Sequence, residues 1–212
     1  MTNQTEPAGT PAPPDDLTAA EIQGRKDARL MFELFKEHVP EFRDAYFVSS
    51  GPVVGVRETR RIVGDSTLTY DDIVARRSQP DAILLGAWYV DRHPKASSGY
   101  HIHGVVRPYD IAYGTLLPQG LANLWVAGRC HSADQVAMAS SRVTITALGL
   151  GQAAGTAAAL TAGRGVDSRS LPIADLQARL VADGAIILNR AQQVLAVGDA
   201  LDEEAVPKSA AR

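Results

Sequence analysis

The sequence predicts an α/β protein. Three observations carry that prediction: an N-terminal segment has helical apolar spacing, a central region holds short β-branched and aromatic runs separated by Gly and Pro, and residues 143–162 form a twenty-residue stretch without a charge. The 212 residues are 45% hydrophobic and 21% charged, with one Cys, 18 Gly and 12 Pro, which excludes collagen-like, disulfide-stapled and wholly disordered classes. Against 24 Asp+Glu stand 21 Lys+Arg, and no basic block carries interleaved aromatics, so nucleic acid is not an expected partner. The lone Cys130 can form no internal disulfide and is too little for a Cys-based zinc site.

Residues 1–16, MTNQTEPAGTPAPPDD, lack a basic n-region and an apolar h-region; a disordered leader and a cytoplasmic location are expected. Thr18 with Glu21 has the spacing of a helix-capping pair, so a first helix is expected from there. Its apolar positions Leu30, Met31, Leu34 and Phe35 predict one buried face, and Pro40 ends it. Residues 51–69 alternate β-branched and polar side chains around a Gly64-Asp65 break, which predicts strands and turns. Thr69 with Asp72 caps a short helix running to about Arg77. From 82 to 126 the runs at Trp88-Tyr89-Val90, at 100–103 and at 123–127 predict strands.

The stretch 143–162 has the length of a membrane span, with Gly151 and Gly155 at small-x-x-x-small spacing. Its Ala, Gly and Thr content, with Gln152 inside, offers too little Leu, Ile or Phe for insertion, so a helix packed within the protein is expected and a membrane is not. Small residues at 147, 151, 155 and 159 give it a bare face that a sheet or ligand can approach. Leu176, Leu180 and Val181 mark a last helix that stops near Gly184, and 198–212 read as a flexible tail. The expected organisation is a leader at 1–16, a helix with substrate-domain strands at 17–122, and a cofactor-binding segment at 123–190.

Three constellations bear on chemistry. Gly149-x-Gly151-x-x-Ala154 fits a dinucleotide fingerprint if 143–148 is the strand before it, although no apolar strand follows to carry an acidic ribose ligand such as Asp167. His101-x-His103, with Asp91 and His93 near in sequence, has metal-ligand residue types, but the three- or four-ligand spacing of a site is not shown and no metal is expected. The third is composite. An apolar run 123–127 ends in Gly128 and Arg129, and Ser140, Ser141, Arg142 and Val143 open the long small-residue helix. A strand end and a helix start facing one pocket would attract an electron-rich or anionic group; ordinary βα packing with a Ser cap is the alternative.

The blocks RETRRIVGDSTLTYDDI, DAILLGAWYVDRHP and PYDIAYGTLLPQGLANLWVAGRCHSADQVAMASSRVTITALGLGQAAGTAAAL closely resemble the C-terminal half of the FAD-dependent oxidoreductases often described as xanthan-lyase-like, over about residues 18–188. That family is similar to the glutathione-reductase and fumarate-reductase flavoproteins. The resemblance implies the C-terminal part of a two-part, Rossmann-like FAD-binding domain plus a mixed α+β substrate segment. It also implies FAD as cofactor and hydride transfer between a small organic substrate and flavin N5. The GxGxxG unit of such proteins lies in their N-terminal half, so the resemblance implies either a second polypeptide supplying that half or a truncated product, and the chain alone is expected to be inactive.

By the same resemblance, Gly128 and Arg129 contact the ribityl or diphosphate region, and Ser140, Ser141, Arg142 and Val143 lie beside the pyrimidine edge of the flavin. Arg57, Thr59 and Arg61 share one face of a presumed strand, with Glu58 and Arg60 on the other. Guanidiniums there would grip a carboxylate or polyol, or else tie sheet to helix as an ion-pair lattice. His93, Tyr109 and Tyr113 fall where the family lines its cleft, and His93 is the first choice of proton acceptor because an imidazole titrates near neutrality. Catalytic roles are thus expected of His93, Arg57, Arg60 and Tyr113. The sequence departs from the family at 137–143, which reads AMASSRV where relatives tend to read AHGSVRV, at Ala112 where they carry Pro, and at His131 where a small aliphatic residue is usual. A non-catalytic interaction module is the alternative function, and a nicotinamide protein using Gly149 and Gly151 a further one.

Overall fold

The computed structural model describes residues 14–58, 60–92, 102–104 and 106–187. It divides into two compact units, Met1–Arg60 and Arg61–Arg212. The first is built on helix α1, Pro14–His38. It starts four residues before Thr18, because Pro fits a first turn whose N–H groups need no partner, and Asp15 and Asp16 complement the helix dipole there. Thr18 therefore lies inside the helix and donates its hydroxyl hydrogen to the Pro14 carbonyl at 3.0 Å. The helix ends before Pro40, as expected, and a 3₁₀ turn follows at Pro40–Phe42.

Beyond that turn the chain folds back on α1. Arg25 donates to Ser50 Oγ at 3.0 Å and to the Pro52 carbonyl at 3.1 Å, Glu21 accepts from the Val54 N–H, and Phe32 meets Phe47 edge-on at 5.7 Å. The expected apolar face does not close. Leu30, Met31, Leu34 and Phe35 are 40 to 60% exposed, since one returning coil segment is too little surface to cover a second stripe of the helix. The expected strands at 51–63 are likewise absent among the described residues; alternation alone does not make a strand without a neighbour to pair with.

The second unit holds the hydrophobic core. Strand β1, Ala82–Gly86, pairs antiparallel with β4, Tyr109–Ala112, with Leu85 opposite Asp110 and an irregularity between Ala82 and Leu84. Every residue of β4 is buried, the pattern of a strand covered on both faces. A second antiparallel ladder joins β2, Val90–Arg92, to β3, Ile102–Gly104. Helix α2, Tyr70–Ala75, starts with the capping box read from the sequence: Asp72 N–H donates to Thr69 Oγ1 at 3.1 Å while Thr69 N–H donates to the Asp72 carboxylate at 3.0 Å. Burial would push the Asp72 carboxyl up, but the Thr69 hydrogen bonds and the Arg77 guanidinium outweigh it and hold it below the usual range.

Helices α3, Gln135–Ser141, α4, Thr144–Arg164, and α5, Ile173–Ala182, complete the unit. Thr146, Leu150, Ala153, Ala157 and Thr161 form the buried stripe of α4, which packs on β1 and α5 beside Ile83, Ile111, Leu116, Leu176 and Leu180. By length and composition α4 could cross a membrane; in this structure that stripe lies in the core. The expected bare face lies open: a Cβ added at Gly151 or Gly155 meets nothing within 4 Å. The close approach is instead at Gly149, where an added Cβ would lie 2.5 Å from Leu84 Cδ1 of β1.

Because residues 144–148 are the first turns of α4, the dinucleotide reading of Gly149-x-Gly151-x-x-Ala154 is corrected: there is no strand before the glycines and no strand-to-helix turn at them. Residues 123–127 are corrected too. Asn123 is a bend with φ 57°, and 124–127 are coil that belongs to no sheet, holding to the core through the Val126 N–H, which donates to the Leu116 carbonyl at 2.9 Å. Its apolar and aromatic side chains favour extended backbone, but no strand among the described residues lies alongside to make a ladder.

Candidate functional site

The coil after Asn123 delivers the chain into a 3₁₀ turn, Gly128–Cys130, which packs against α4. Gly128 has φ 78°, the left-handed region that glycine occupies without strain, and a Cβ built on it would lie 3.9 Å from the Ala147 Cβ in the first turn of α4. The turn and the start of the long helix therefore converge. Helix α4 begins after Val143, which makes no side-chain cap, and its first turn contains no acidic residue. Over 21 residues the aligned peptide dipoles put roughly half a positive charge at that end. Ile145 is 75% exposed and Leu148 69% on the first turns of this helix, and Arg129 is exposed on the turn that packs against it.

Ser140 and Ser141 do not open α4; they are the last two residues of α3 and both are buried. The true cap of α3 is Asp134, whose carboxylate accepts from Ala137 N–H at 2.7 Å and Tyr70 N–H at 2.7 Å. Ser140 donates to the Trp88 carbonyl, which has no proton of its own, so Tyr109 Oη, 2.8 Å away, is the donor to Ser140 Oγ. Ser141 Oγ lies 3.2 Å from His131 Nε2. Arg142 caps the end of α3 and its guanidinium donates to the Asp91 carbonyl at 2.8 Å. Of the four residues expected beside the flavin edge, Val143 alone is the N-cap of α4, while Ser140 and Ser141 end α3 and Arg142 is its C-cap.

Tyr113 is buried in the 3₁₀ turn after β4. Its hydroxyl donates to the Ser168 carbonyl at 3.0 Å and accepts from Trp125 Nε1 at 2.6 Å. Burial raises its pKa, with Trp125 and Arg169 opposing and Asp167 assisting. The group is a protonated clamp on the loop rather than a poised acid or base. Arg57 and Arg60 lie in coil of the first unit, Arg57 half-buried and Arg60 exposed, so the strand expected to carry them on opposite faces is not formed among the described residues. His93, Thr59 and His101 lie outside the described residues; among the described ones, no three His, Cys, Asp or Glu side chains sit together as a metal site.

The sequence set His131 apart only as a departure from the family's small aliphatic residue and gave it no role. It is fully buried, and burial holds its imidazole below 6.5, opposed by the Gly128 hydrogen bond and aided by the Arg61 charge. A polar ring between Cys130 and Ser132, in a run otherwise closing into the core, was the available signal.

The structure is thus an α/β protein in which a left-handed glycine turn meets a helix start without a side-chain cap, with exposed apolar side chains on that helix. The family model of FAD dependent oxidoreductases matches residues 1–180, and the chain belongs to that family. Its cofactor is accordingly FAD. No curated protein and no solved structure matches the chain. The donor set fits part of such a cofactor: backbone N–H groups and a helix dipole suit an electron-rich ring edge, and the glycine leaves room for close approach.

Proposed function

We propose that this chain forms the flavin-capping and substrate-facing part of an FAD-dependent oxidoreductase, acting on a small organic substrate and completed by a polypeptide that carries the GxGxxG half. The observation that carries this reading is the convergence of the Gly128–Cys130 turn on the uncapped first turn of α4. FAD held there would supply the two-electron chemistry of hydride transfer with a substrate carbon.

The chain's own contribution is electrostatic and steric. The N–H groups of α4 stabilise negative charge where it builds, a preorganised role that needs no rearrangement. Gly128 lets the backbone come close, Arg129 adds a cation, and Ile145 and Leu148 offer apolar surface that excludes water when covered. Arg57 and Arg60 are the proposed substrate-gripping cations and His93 the proposed proton acceptor. Tyr113 acts one layer behind, holding the 113–116 turn to Trp125 and Ser168.

The test is co-expression with a polypeptide that carries a GxGxxG unit, followed by the absorbance spectrum of the co-purified pair. A yellow pair with a bound-flavin spectrum supports the proposal, and a colourless pair favours a non-catalytic module. If the chain alone binds FAD at micromolar affinity and turns over a substrate, the partner is not required.

A further inference from the structure

Nothing in the flavin site described above uses His131, although its surroundings are fully specified. Its Nδ1 lies 2.8 Å from the Gly128 carbonyl oxygen and its Nε2 3.2 Å from Ser141 Oγ. A carbonyl only accepts, so Nδ1 carries the hydrogen and donates it; in the neutral ring Nε2 then accepts, and the Ser141 hydroxyl donates to it. The His131 backbone N–H donates to the same Gly128 carbonyl at 3.2 Å. Two donors from one residue thus turn a single carbonyl oxygen toward the interior.

That has a consequence on the other side of the peptide. In a planar trans peptide the carbonyl and the next N–H point in opposite directions. With the Gly128 oxygen held toward a buried ring, the Arg129 N–H is aimed away from it. Burying an imidazole costs desolvation that an apolar side chain avoids, and here two hydrogen bonds offset it. The ring also joins the last turn of α3, through Ser141, to the turn that packs on α4.

We propose that His131 is a positioning residue for the flavin turn: its ring, neutral and protonated on Nδ1 with Ser141 bonded to Nε2, holds the Gly128 carbonyl inward and so presents the Arg129 N–H to the cofactor. The inference rests on the flavin site proposed above. Two variants separate positioning from packing. His131→Asn keeps a donor near the place of Nδ1 and loses the Nε2 acceptor; His131→Leu fills the space and loses both.

Two measurements decide it. In the full chain without flavin, the imidazole ¹⁵N spectrum is expected to show the neutral Nδ1-protonated form; an Nε2-protonated ring overturns the inference without reference to FAD. FAD is then titrated into the chain co-purified with the GxGxxG polypeptide. His131→Leu is expected to weaken FAD binding about tenfold, the worth of one well-placed hydrogen bond, while His131→Asn stays within about threefold of wild type even where both variants melt earlier. Equal affinity of His131→Leu and wild type, or equal loss in both variants, overturns positioning through Gly128 while leaving the flavin site standing. If the wild-type pair retains no FAD, the flavin site itself falls and the inference with it.

Discussion

Tyr109→Phe tests how the end of α3 is braced, and the structure sets its size. The Tyr109 phenol is buried, and burial pushes its pKa from 10.0 to about 12 against the lowering effect of Ser140. In the unfolded chain the same phenol ionises near 10, so the folded state gains from Tyr109 at every pH below 10 and loses that gain as pH rises toward 12. Two pKa units correspond to about 3 kcal/mol. At pH 8 the substitution removes the hydrogen bond to Ser140 Oγ, about 1 kcal/mol, and orphans no donor because Ser140 still donates to the Trp88 carbonyl. The variant is therefore expected to be about 1 kcal/mol less stable at pH 8, to match wild type near pH 11 and to exceed it by about 1 to 2 kcal/mol above pH 12. Urea unfolding followed by circular dichroism between pH 8 and 12 measures this. Curves that stay parallel across that range refute the buried, Ser140-bonded phenol.

Gly64→Ala places a Cβ 2.8 Å from the Ser66 carbonyl oxygen and 2.9 Å from that of Gly114, backbone that cannot step aside, so a loss of about 2 kcal/mol and a Tm lower by roughly 5 °C are expected by calorimetry. Gly151→Ala fills open space in the middle of α4 and is expected to stabilise the chain by about 1 kcal/mol; neither it nor wild type is expected to bind NAD in a fluorescence titration. Because burial lowers the His131 pKa, the unfolded chain takes up a proton near 6.5 that the folded chain resists. Stability is then complete above that pH and falls as pH drops below it, and His131→Leu is expected to flatten that part of the acid unfolding profile.

What the sequence made legible was local. The Thr69–Asp72 box needs only its own four residues and forms as read. Helices α4 and α5 follow from length and spacing, and α5 buries Leu176 and Leu180 as expected, while Val181, read with them, is exposed. The misreadings share one cause, dependence on a distant partner. Leu30 and Phe35 have core spacing, but whether a helix stripe is covered is decided elsewhere in the fold. Residues 123–127 have strand composition and no strand beside them among the described residues. The two serines at 140 and 141 look like a cap because Ser favours that position, yet Asp134 had already started a helix that carries both into its last turn. Of the candidate residues, Val143 directly precedes α4 and the Gly128 turn packs against that helix, but the strand expected to end at Gly128 is not formed, and the two hydrogen bonds of the His131 ring are not displayed by a linear sequence.

The most direct measurement is a crystal structure of the chain with FAD and the polypeptide that completes it. The flavin is expected against the first turn of α4, with N–H groups of residues 144–146 at roughly 3 Å from an electron-rich ring edge and the Gly128–Cys130 turn on its flank. Flavin seated instead in the groove of about 430 Å³ between Trp125 and Thr161, near the opposite end of the same helix, would contradict that placement.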